Sequence, residues 1–138
     1  MSVVGNAHPK YTFYETVNIY SKQGKAMTKT GELDAIRENF LGFFEHGSEI
    51  NEKFKDHYDN VYKDGLLDAK TKRLIALCGG IVAGCKGCIL GQTDHAIKHG
   101  ASADEILEVC SIAISLGGTL AGSQVAMVVE FIKEQGMI

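Results

Sequence analysis

The segment 112–129 is apolar on more than one helical face: set among Ala, Gly, Leu and Val, Gln124 is its only strongly hydrated residue type. A helix of that kind needs cover on most of its sides. A chain of 138 residues makes one domain with a real core, but it is short for burying such a helix alone. The chain is therefore expected to complete its core against further copies of itself, as an obligate homo-oligomer.

The rest of the pattern is helical too. Leu33, Ile36, Phe40, Phe43 and Phe44 recur at steps of three and four, and after Gly47 come Ile50, Phe54, Tyr58 and Val61, with Ser48 suited to start a helix. Asp68 reads as the N-cap of a helix from Ala69 to Gly84, with apolar positions at Leu74, Leu77, Cys78 and Ile81. The next helix holds Cys85 and Cys88, runs to His99 and stops at Gly100. Ser102 and Glu105 have capping-box spacing, opening a helix with Ile106, Val109, Cys110 and Ala113 on one face and a break at Gly117-Gly118. A last helix carries Val125, Val128, Val129, Phe131 and Ile132 to about Gln135. No segment alternates cleanly as a strand, and Pro9 is the only proline, so the fold class is all-α. Residues 1–60 read as a helical N-terminal extension or arm, its first part a mixed apolar set (Tyr11, Phe13, Tyr14, Val17, Ile19, Tyr20), and 61–138 as the main unit of one structural domain.

Composition removes several function classes. With 45% hydrophobic and 22% charged residues the chain is not disordered. A formal net charge of −3 leaves no basic footprint for nucleic acid. The N-terminus lacks a positive stretch leading into an apolar one, and the longest nearly apolar run, 74–85, carries three glycines and is too short for a bilayer. The expectation is a cytoplasmic protein without a membrane partner, in a compartment where paired cysteines are more often catalytic or metal-binding than structural.

Cys85 and Cys88 are such a pair. Two thiols at C-x-x-C spacing, opening or lying early in a helix, can close a small disulfide reversibly and so exchange electrons as a dithiol. Gly84 and Gly87 leave the backbone around them uncrowded, and Lys86 adds positive charge. The bland alternative is two small apolar residues three apart. Zinc would need about four ligands, and neither a second C-x-x-C nor an H-x-x-x-H with a further acidic ligand accompanies the pair. No metal or other cofactor is called for. Cys78 and Cys110 lie on apolar faces and read as packing residues. His95 and His99 read as surface residues, His99 in a last turn where a cation is favoured. His8, His46 and His57 have no clustered partners.

The run 67–77 (LDAKTKRLIAL), then Gly84-Cys85-x-x-Cys88-Ile89, Gly100-Ala101-Ser102-x-x-Glu105-Ile106 and the Gly117-Gly118 break, resembles the carboxymuconolactone decarboxylase and alkylhydroperoxidase D superfamily. The resemblance implies an all-helical bundle assembled from dimers, often into trimers or hexamers. In its peroxidase branch a glutamate twelve residues before the first cysteine and a histidine four after the second form a proton relay. The second thiol attacks peroxide and the first resolves it. This chain keeps both cysteines but carries Arg73 and Gln92 at the relay positions. Neither is a general base at neutral pH. Arg73 could hold a thiolate by charge or lie exposed, and Gln92 could donate a hydrogen bond to sulfur or simply fill space.

The leading reading is a thiol–disulfide oxidoreductase of alkylhydroperoxidase type. Cys88 attacks a peroxide or a partner protein's disulfide, Cys85 resolves, and Arg73 and Gln92 tune the site. Two alternatives stand beside it: a non-catalytic oligomeric binding protein that has lost the relay, and a small-molecule enzyme of carboxymuconolactone decarboxylase type.

Overall fold

A computed structural model describes residues 26–138 as five α-helices: α1 (Lys29–Glu45), α2 (Glu49–Val61), α3 (Ala69–Ala83), α4 (Lys86–Lys98) and α5 (Ala103–Glu134). Among the described residues there is no strand, and the all-α reading holds. The apolar arm read at Tyr11 to Tyr20 lies outside the described residues.

Each helix starts where a side chain satisfies one of its free N–H groups. Thr28 accepts from Gly31 N, Ser48 from Ile50 N, and Asp68 from Thr71 N. Ser102 and Glu105 form the reciprocal capping box at the head of α5. Gly84 (φ 67°) and Gly100 (φ 84°) take left-handed backbone that lets α3 and α4 end and the chain turn.

The core lies between α3, α4 and α5, built from Leu77, Ile81, Ile89, Ala96, Ile106, Cys110, Ala113, Val128 and Ile132. Helix α1 joins this body through a smaller cluster of Leu33, Leu90 and Phe131. The Glu134 carboxylate at the end of α5 accepts from Lys29 N (2.7 Å) and Thr30 N (2.9 Å), so one helix's last turn caps another's first. Helix α2 buries no residue fully. It reaches the body through side chains, with Phe54 stacked on Phe44 of α1 and Tyr58 and Tyr62 directed at α3 and α4.

Helix α5 is long and apolar enough by composition to cross a bilayer, unlike the shorter 74–85 run. It is not straight: Gly118 sits at φ 60°, ψ −146°, where the expected break falls. Ile106, Cys110, Ala113, Ala121, Val128 and Ile132 are buried along both arms of the bend. Its other face stays uncovered in the single chain, with Leu116 70% and Leu120 65% exposed.

Nothing lies within 4 Å of a Cβ built on Gly118, so the cost of a side chain there is conformational alone. Gly118→Ala is expected to destabilise the fold by about 1–3 kcal/mol in chemical denaturation. Unchanged stability would mean that the bend does not need this backbone angle.

Candidate functional site

The site forms where α3 turns into α4. Cys85 is the N-cap of α4, and its sulfur accepts from Cys88 N at 3.3 Å. The pair is joined as a disulfide across a Cα–Cα distance of 5.2 Å, with Cys88 exposed and Cys85 half-buried. A sulfur at a helix N-terminus feels the positive end of the peptide dipoles, which favours the thiolate once the bond is reduced. Gly80 of α3 lies under the pair, where an added Cβ would come 3.1 Å from Cys88 Cβ.

The disulfide opens into a groove of about 860 Å³ between α1, α2 and α4. Leu33, Ile36, Phe40, Leu41, Phe44 and Phe54 make its apolar walls, and Tyr58, Gln92 and His95 lie along it with the two cysteines. Phe40 and Phe44 meet edge to face at 4.8 Å. Lys86, read from sequence as a positive charge beside the thiols, is instead engaged by Glu32 of α1 at 2.9 Å. That carboxyl is held below its usual range, first by its hydrogen bond to Lys29 and then by Lys86.

Arg73 is not exposed. It is 7% accessible, as is Gln92, and the two meet: Arg73 Nη1 donates to Gln92 Oε1 at 3.1 Å and to the Tyr58 hydroxyl at 2.9 Å. Gln92 Nε2 in turn donates to Tyr58 at 3.1 Å and lies 3.5 Å from the Tyr62 hydroxyl. The guanidinium stacks 3.7 Å from the centre of the Tyr62 ring. No carboxylate among the described residues pairs with it, and its Nε has no partner there. Arg73 does not line the groove, whereas Gln92 and Tyr58 do. Its charge therefore reaches the groove through them. Burial pushes the Tyr62 hydroxyl up, keeping it protonated.

Three residues of this site carry no chemical signature in the sequence: Tyr58, Tyr62 and His95. Tyr58 reads there only as an apolar helix position, and the Tyr58/Tyr62 spacing of four is the available signal. His95 reads as a surface residue, yet it lines the groove, and burial followed by the Arg73 and Arg37 charges lowers it to about 4. Cys78 and Cys110 behave as packing residues, with burial pushing Cys110 up to about 11. No group of three or more His, Cys, Asp or Glu among the described residues is placed to hold a metal.

The sequence pattern of the carboxymuconolactone decarboxylase family matches residues 48–130. This chain belongs to the carboxymuconolactone decarboxylase family. The matched region contains α2, α3, α4 and most of α5, and so holds Tyr58 and Tyr62 with the cysteines. Two curated relatives are an uncharacterised protein of Cupriavidus necator, 39% identical over 56 residues, and uncharacterised protein 4 in the cox locus of Paracoccus denitrificans, 34% identical over 70. These matches span 41% and 51% of this chain, and 50% and 63% of the relatives' own lengths. Among solved structures, a family protein from Legionella pneumophila superposes with a TM-score of 0.72 at 28% identity, covering 77% of this chain and 95% of that one. A second, from Thermotoga maritima, is described as a candidate for involvement in antioxidative response. It gives 0.69 at 29% identity, over 75% and 89% of the two chains.

His95 of this family member provides a test of the site's electrostatics. Its folded value of about 4 lies below the ordinary 6.5, so the unfolded chain binds the proton first. Its contribution is fully present above about pH 6.5 and is lost as pH falls toward 4. Besides the two arginines, Asp94 and Lys98 act on the ring, Asp94 favouring the proton and Lys98 opposing it. His95→Gln is expected to flatten the loss of stability between those limits in denaturant titrations. Parallel pH profiles for both proteins would show that the ring is not desolvated.

Proposed function

We propose that this protein is a thiol–disulfide oxidoreductase of alkylhydroperoxidase type, acting on organic hydroperoxides. One observation carries the reading: the Cys85–Cys88 pair sits at the N-terminus of α4 and opens into an apolar groove large enough for an organic molecule. The antioxidative role suggested for the Thermotoga relative points the same way. The exposed Cys88 thiolate attacks the terminal peroxide oxygen, the O–O bond breaks, and the alcohol leaves. Cys85 then displaces water from the resulting sulfenic acid and closes the disulfide. Overall, two thiols and a hydroperoxide become a disulfide, an alcohol and water. An external dithiol returns the electrons.

The protein acts in the cytoplasm as a soluble homo-oligomer. The uncovered apolar residues of α5 and α3, including Leu116, Leu120 and Ile75, form the interface between copies. A second reading, an oligomeric binding protein, is favoured by Arg73 and Gln92, which put no titratable base at the two relay positions. Lactone chemistry of the decarboxylase kind has no such specific support.

Cys88→Ser is expected to abolish hydroperoxide consumption, and alkylation of the reduced protein should show a thiolate formed well below the ordinary cysteine value of about 8.5. Undiminished turnover in that variant would overturn Cys88 as the nucleophile, whereas unreactive thiols at both positions with no hydroperoxide consumption by the unmodified protein would move the assignment to the binding reading.

A further inference from the structure

We infer that Tyr58 is the proton donor to the leaving oxygen, a role resting on the hydroperoxide reading above. The orientation of its hydroxyl follows from what its neighbours can do. An arginine only donates, so the Gln92 atom facing Arg73 is the amide oxygen, and the Gln92 NH₂ must face the tyrosines. The Tyr58 oxygen then accepts twice, from Arg73 Nη1 at 2.9 Å and from Gln92 Nε2 at 3.1 Å. Both directions toward the protein interior are taken by donors, and no described residue accepts from this hydroxyl. Its hydrogen is left to point toward the groove, which Tyr58 lines together with both cysteines.

The position suits the chemistry. Gln92 stands one helical turn beyond Cys88 on the same face of α4, where side chains are about 5–6 Å apart. Tyr58 hydrogen-bonds to the end of Gln92 and lines the same groove as Cys88, so the phenol borders the space a peroxide lying on Cys88 would occupy. A guanidinium and an amide donating to the phenol oxygen stabilise the phenolate that proton transfer leaves behind. The step balances: the Cys88 thiolate and ROOH, with the Tyr58 proton, give the Cys88 sulfenic acid, ROH and the Tyr58 phenolate. The phenolate recovers a proton from solvent, equivalent to the one Cys88 released on forming its thiolate. In this chain the acid is a tyrosine on α2, and Arg73 and Gln92 are its positioning residues.

The test separates proton donation from a structural role by changing the leaving group. Reduced wild-type protein and Tyr58→Phe are each mixed with tert-butyl hydroperoxide, whose alkoxide needs a proton to leave, and with peracetic acid, whose acetate does not. Oxidation of Cys88 is followed in a single turnover. The expected result is a fall of at least about 100-fold with the alkyl hydroperoxide, while the peracid rate stays within a factor of about two or three. Equal rates on both oxidants in the two proteins would overturn the role of Tyr58 and leave the hydroperoxide reading standing. An equal fall on both would also overturn it, since the tyrosine would then be acting on the thiols or on the fold. If wild-type protein oxidises with neither, the hydroperoxide reading itself fails and takes this role with it.

Discussion

The arrangement of the site depends on one close approach, between Gly80 of α3 and Cys88 of α4. A Cβ at position 80 would stand 3.1 Å from Cys88 Cβ and 3.4 Å from the Cys88 carbonyl carbon, tighter than ordinary van der Waals contact. Glycine lets the two antiparallel helices meet there, directly after the left-handed Gly84 that joins them. The rest of the register follows. Two turns back along α3 from Gly80, Arg73 meets Gln92, which lies one turn on along α4 from Cys88. The same turn puts Cys85 at the N-cap and leaves Cys88 open to the groove.

That register buries a guanidinium without a carboxylate, an arrangement that costs desolvation energy and recovers little of it by Coulomb attraction. The chain offsets the cost with a tyrosine face, a tyrosine oxygen and an amide oxygen. None of the three is a carboxylate. A carboxylate at the same place would neutralise the cation and end its influence on the groove. These partners leave the charge uncompensated and pass it outward through hydrogen bonds. They also tie α2, which buries no residue of its own, to α3 and α4. Helix α2 is thus held chiefly by the contacts that orient Tyr58 and by the stacking of Phe54 on Phe44.

Much of this was legible in the chain. The capping residues Ser48, Asp68 and Ser102, the stops at Gly84 and Gly100 and the break at Gly118 are local signals, because each reports backbone chemistry within a few residues. The cysteine pair was legible for the same reason. What escaped was set by contacts across the fold. Arg73 reads equally well as exposed or buried, since position 73 alone does not reveal Tyr62 beneath it. Lys86 reads as free charge until Glu32, fifty-four residues earlier in sequence, is brought against it. His95 reads as a surface residue because the groove that desolvates it is walled by α1 and α2, not by its own helix.

The residues around the disulfide also constrain how such a site responds to pH. Arginine carries its charge throughout the range a protein meets, Gln92 does not titrate, and the Tyr62 hydroxyl is pushed up by burial. His95 is already neutral well above about 4. A glutamate–histidine relay would put its own ionisations on top of those of the thiols. Here the electrostatic setting is fixed while the cysteines titrate, so the charge state of the pair is governed by the cysteines and the helix terminus that holds Cys85. Exchanging a relay for a fixed cation gives up base catalysis of thiol ionisation. On the proposed chemistry, what it keeps is the donor network around Tyr58, and that demands a thiol acidic enough to ionise unaided. In the hydroperoxide reading that thiol is Cys88, which lies in the first turn of α4, where the peptide dipoles favour its thiolate.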